Sequence, residues 1–92
     1  MKYNSASDID AHGYDRIIEK PGEGVTYLMR MDTKRYKKGE SALDQPIWQI
    51  KKITEVTENG VTTTDIQYAH GTNGYCNVAS EYESIEYKYN ED

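Results

Sequence analysis

The chain reads as a mainly β protein: a small antiparallel β-sandwich or partly open barrel of four to six strands, organised around a central Asn-Gly hairpin. Three observations lead there. Asn59-Gly60 stands between two long runs of β-forming residues, "PIWQIKKITEVTE" and "VTTTDIQYA", and Asn-Gly tolerates the positive φ angles that a two-residue type I′ turn demands. In "VTYLMRM", Tyr27, Met29 and Met31 alternate with Thr26, Leu28 and Arg30, the period of a half-buried strand. Near the end, Ile85, Tyr87 and Tyr89 alternate with Glu86 and Lys88.

In order along the chain, residues 1–13, rich in Ser, Asp and Asn, read as an N-terminal arm with a helical turn at Asp8–His12 as its one candidate element. Residues 14–92 read as a single β domain. Its first strand is Tyr14–Lys20, stopped by Pro21-Gly22, and its second is Val25–Met31. Asp32–Gln45 breaks the alternation and reads as a long connection. The hairpin follows, with Glu58 opposite Val61, Ile53 opposite Ile66, Lys51 opposite Tyr68 and Ile50 opposite Ala69.

This register puts Ile53, Ile66, Lys51 and Tyr68 on one face of the sheet, and Trp48, Ile50 and Val56 on the other. The first hairpin strand is therefore apolar on both faces. Either it is buried on both sides, or a bulge near Lys51-Lys52 switches its parity. Ile47, Ile50 and Ile53 also recur at helical spacing, but the Asn-Gly turn and the threonines that follow favour a strand. After the turn-rich "HGTNG", a last strand is expected over Ser84–Tyr89.

Composition narrows the function. The chain has 92 residues, 36% of them hydrophobic, with nine tyrosines and no phenylalanine. A domain of this size buries a modest core and gains from partner chains. The formal net charge of −5 disfavours general nucleic-acid binding, which needs a basic field. The local basic stretch Lys34, Arg35, Lys37 and Lys38, with Tyr36 as a stacking platform, would serve single strands only as a minor reading. The acidic end, "YESIEYKYNED", reads as a solvated face. Cys76 is the one cysteine, so no intrachain disulfide is available. "MKYNSASDID" lacks the apolar run of a signal peptide, and no run approaches the length of a membrane-spanning helix.

No constellation carries chemistry. His12 and His70 lie far apart, and nothing in the spacing draws Cys76, His70 and Asp65 into a nucleophile–base arrangement. The glycine turns "PGEG" and "GTNG" lack the Lys-Ser/Thr end of a phosphate loop. The expectation is a non-enzyme with no catalytic, cofactor or metal residues. Its candidate core or intersubunit residues are Tyr27, Met29 and Met31 on one strand, and Trp48, Ile50 and Ile53 on the next. Ile66, Tyr68, Ile85 and Tyr87 complete the set. Tyrosine, tryptophan, methionine and arginine suit a strand face and an interface equally.

The segment Thr26–Tyr87 resembles small uncharacterised proteins of tailed bacteriophages. The resemblance is carried by Thr26-Tyr27, by Trp48-Gln49-Ile50-Lys51-Lys52-Ile53 (a Trp-x-Ile-Lys-[RK]-Ile outline), by Gly60, and by Tyr68-Ala69-His70-Gly71. Asn77 and Ile85-Glu86-Tyr87 close it. The chain departs from the outline at Ala79 and Tyr82, where a second tryptophan and an arginine are usual. It departs again at Leu28-Met29-Arg30-Met31, where small residues and a glycine are common. The resemblance implies a virion structural or assembly protein, made in the host cytoplasm. Capsid decoration, neck or connector, and tail or fibre attachment are the roles it implies. Its partners would be other virion proteins or copies of itself, without membrane association. The competing expectation is a non-virion inhibitor or adaptor that binds a host protein.

Overall fold

The computed structural model describes residues 13–92. The Asp8–His12 turn and all of the expected arm except Gly13 lie outside the described residues. The fold is mainly β, as expected. Its strands are β1 (Arg16–Lys20), β2 (Val25–Met31), β3 (Pro46–Glu58), β4 (Val61–Ala69), β5 (Asn77–Val78) and β6 (Tyr87–Lys88). All belong to one antiparallel sheet in the order β1-β2-β3-β4-β6, with β5 pairing β3 off this path. The sheet stays open rather than closing into a barrel.

β1 and β2 are joined by a 3-10 turn at Pro21–Glu23, where Pro21 supplies a fixed φ and Gly24 ends the turn at φ 69°. The Gly24 N–H donates to the Pro21 carbonyl oxygen at 3.2 Å. Asn59 and Gly60 both hold positive φ, 52° and 78°, as the type I′ turn requires. The hairpin register runs without interruption from Glu58↔Val61 through Ile53↔Ile66 to Lys51↔Tyr68, as the sequence predicts. β3 is the spine of the molecule. Its thirteen residues span roughly 43 Å at about 3.3 Å per residue, close to the 49 Å long axis.

The two faces of β3 are covered to different degrees. On one face Tyr27, Met29, Ile47, Trp48, Ile50, Ala69 and Ala79 form the larger core. The connection after β2 and the segment between β5 and β6 cover this face, contributing Ala42, Leu43, Tyr82 and Ile85. On the other face Leu28 and Ile53 form a small cluster with Tyr14 and Ile17. Burial on both sides therefore explains the apolar pattern. The bulge considered at Lys51-Lys52 is absent, because pairing with both β2 and β4 is continuous there. An irregularity occurs instead between Pro46 and Trp48, opposite β5, where the adjacent Ile47 and Trp48 both enter the larger core.

The last strand is shorter than the expected Ser84–Tyr89, with only Tyr87 and Lys88 in β6. Ser84 belongs to a turn, its N–H donating to the Glu81 carbonyl oxygen at 2.9 Å. After Lys88 the chain bends back, and the Glu91 N–H reaches the Gly71 carbonyl oxygen at 2.8 Å. Local turn bonds at both ends have replaced ladder bonds. Among the described residues, every buried side-chain nitrogen or oxygen has a partner. Gln45 bonds the Lys37 N–H and the carbonyls of Lys37 and Glu40, while Asn77 donates to the Trp48 carbonyl at 3.0 Å.

Candidate protein–protein interface

β3 and β4 outrun the rest of the sheet. β2 accompanies β3 only as far as Val25↔Thr54, and β6 accompanies β4 only at Tyr68 and Ala69. Beyond those points the hairpin is a two-stranded arm. Its β4 edge has no strand beside it from Val61 to Gln67 among the described residues.

The direction of the edge groups follows from the turn. Residues flanking a two-residue hairpin loop exchange both backbone bonds, and the pattern then alternates. Val61, Thr63, Asp65 and Gln67 thus face β3, while Thr62, Thr64 and Ile66 point their N–H and C=O groups outward. Two bonds fix this phase independently. The Glu55 N–H turns away from β4 to Gly24 O at 2.8 Å, and the His70 N–H turns away from β3 to Glu86 O at 2.7 Å.

Side chains on the arm are uncharged over most of this edge. Val56, Val61 and Ile66 are 48%, 64% and 49% exposed. Thr57 and Thr62 share a hydroxyl–hydroxyl bond of 2.8 Å across the hairpin. Asp65 is the one charge on β4, and it accepts from the Tyr89 hydroxyl at 2.9 Å. That bond holds the Tyr89 pKa above its ordinary value. The other outer strand, β1, is guarded differently. It carries Arg16, Glu19 and Lys20 in five residues, ends at Pro21, and ties Lys20 to Glu83. Charges and proline blunt an edge, and β4 has no Lys or Pro to do so.

The candidate residues named from sequence divide accordingly. Tyr27, Met29, Trp48, Ile50 and Ile53 are buried within this chain. Met31, Ile85 and Tyr87 pack at the margin of the larger core, and the Tyr27 ring meets Tyr82 and Tyr87 at centroid distances of 4.8 and 5.6 Å. Burial raises the Tyr27 and Tyr87 pKa values. Tyr68 is half-buried on the opposite face, its ring centroid 5.6 Å from Lys51 Nζ. Lys51 also donates to the Tyr14 hydroxyl at 3.0 Å. Ile66 alone of the set is exposed, because it sits on the open edge while its partner Ile53 is enclosed between β2 and β4. The exposed edge residues Val61 and Thr62–Thr64 were not among those named. Their signal in the sequence is a strand free of proline and lysine beside the Asn-Gly turn.

The other sequence candidates do not converge. Arg35 is spent on carbonyls, with one guanidinium nitrogen 2.7 Å from Tyr75 O and the other 3.4 Å from Pro46 O, so this member of the basic stretch is tied to the body of the protein. No hydrogen bond joins Asp65, His70 and Cys76 among the described residues. No group of three or more His, Cys, Asp or Glu there is placed to hold a metal. No helix of the described residues is long and apolar enough to cross a membrane. No protein-family model, curated protein or solved structure matches the chain.

Proposed function

We propose that this chain is a bacteriophage virion structural or assembly protein that acts by protein–protein contact, with the open β4 edge as its docking element. One observation carries the contact reading: the uncharged outward edge of Thr62, Thr64 and Ile66 on an arm that projects beyond the sheet. A strand edge of this kind binds by adding a strand, main-chain bonds supplying affinity and alternate side chains specificity. The phage assignment is supported by the Trp48–Ile53 and Tyr68–Gly71 outline. In a particle, the protein would decorate the capsid, join the neck, or attach a tail or fibre.

The test is a mass-spectrometric inventory of purified, nuclease-washed particles of the phage that encodes the chain. Stoichiometric peptides covering Trp48–Tyr68 are expected, and their copy number separates a capsid decoration from a neck or tail ring. Abundance in infected cells with absence from particles would overturn the virion role and direct the search to a host protein.

A further inference from the structure

We infer that the partner at this edge is a second copy of the chain, paired antiparallel along β4 across a two-fold axis at Thr63. The inference rests on the reading of β4 as the docking element, and goes beyond it by naming the occupant and the register. A two-fold contact must be self-complementary. Pairing the outward groups of Thr62, Thr64 and Ile66 allows axes at Thr62, Thr63, Thr64, Asp65 or Ile66. At Thr62 the second bonded pair would fall on Gly60 of the turn, and at Ile66, Thr64 would meet Tyr68, the position already held by Lys88.

An axis at Asp65 would set the two Asp65 carboxylates directly opposite each other, a destabilising like-charge pair. An axis at Thr64 would bring Gly60 of one copy beside Tyr68 of the other, the position already held by Lys88. An axis at Thr63 avoids these obstacles. Thr62 of each copy then faces Thr64 of the other, and these residues carry the outward N–H and C=O groups, so each pair exchanges both backbone bonds. Thr63 meets Thr63, Val61 meets Asp65, and the arm tip ends before β6. Threonine pairs across strands are favourable, as the Thr57–Thr62 bond within each hairpin already shows. The two Asp65 side chains lie about 14 Å apart at a rise of about 3.4 Å per residue, beyond the roughly 8 Å screening length at physiological salt. The one charge on β4 therefore does not oppose its copy across the axis.

Thr64→Pro isolates the contact. The Thr64 N–H points away from β3, so proline there removes an intermolecular donor and no bond of the hairpin. The full chain is expected to sediment as a concentration-dependent dimer. The variant is expected to keep its circular dichroism and melting midpoint while dimerising about thirtyfold more weakly, from the loss of one bond per copy. In a Cys76→Ser background, Thr63→Cys is expected to give a disulfide-linked dimer under mild oxidation, and Val61→Cys is not.

A wild-type chain that stays monomeric at millimolar concentration overturns the inference, as does a dimer indifferent to Thr64→Pro. Cross-linking through Val61→Cys and not Thr63→Cys overturns the register. The virion reading fails separately, by absence from particles. If the wild type is monomeric but Thr64→Pro alone is excluded from particles, the edge serves another protein; self-pairing is then wrong and the docking role stands.

Discussion

The Trp48 indole N–H donates to the Ala42 carbonyl oxygen at 2.8 Å. This bond pins the connection between β2 and β3 over the larger core, where Trp48 is 3% exposed. The ring thus supplies apolar area and also satisfies a carbonyl at the 3-10 turn Ala42–Asp44.

Trp48→Ala is expected to destabilise the domain by about 3–5 kcal/mol, because it leaves a cavity that the sheet cannot collapse to fill. Trp48→Phe keeps most of the packing and loses the bond, so its cost is expected to be smaller. Urea denaturation of the two variants measures both. A cost near zero for the alanine would mean that Trp48 is not part of the core.

Two glycines with similar backbone angles should respond differently to the same change. Gly60, at φ 78°, has open space where a Cβ would stand, whereas at Gly24, φ 69°, a Cβ would lie 2.7 Å from the Glu55 carbonyl oxygen. Gly60→Ala is expected to cost about 1–2 kcal/mol, from left-handed backbone strain alone. Gly24→Ala adds a clash with the backbone and disturbs the Glu55–Gly24 bond where β2 leaves β3. It should cost clearly more. Equal melting shifts for the two would contradict this.

Alkaline pH should unfold the protein through its tyrosines. Burial raises the pKa of Tyr87, whose hydroxyl donates to the Tyr82 carbonyl oxygen at 2.8 Å, and also that of Tyr27. In the unfolded chain both ionise near about pH 10. A folded pKa above the unfolded one gives stability that is complete below about pH 10 and is lost as pH rises through the folded values. Circular dichroism and phenolate absorbance followed upward from about pH 9 should show these two rings ionising together with unfolding. Ionisation of all tyrosines without unfolding would refute it.

At the other end of the scale, the Asp92 carboxylate accepts from the Asn73 N–H at 2.9 Å and the Thr72 hydroxyl at 2.8 Å. These bonds, the Asn73 one foremost, hold its pKa below the ordinary aspartate value. The folded value is depressed, so the stabilising contribution is present above the ordinary range near about pH 4 and is lost as pH falls through the folded value. The Asn73 amide shift in an NMR titration should report that low inflection. Thr72→Val should move it upward toward the ordinary value.

Local chemistry determined a large part of this protein. Asn59-Gly60 dictates the turn, the turn dictates the register from Glu58↔Val61 to Lys51↔Tyr68, and the pleat then assigns each side chain to a face. Alternation alone marks β2 over Val25–Met31. These features were legible because each depends on residues close in the chain. The tertiary structure decided the rest. Ile53 and Ile66 are paired isoleucines on the same face, yet they are 5% and 49% exposed. The difference lies in their neighbours: β2 and β4 enclose Ile53, while β6 stops at Lys88 and leaves Ile66 on an open edge. Periodicity fixes which way a side chain points. Whether anything stands beside it depends on strands distant in sequence and on where each of them ends, so the open β4 edge could only be found in the folded sheet.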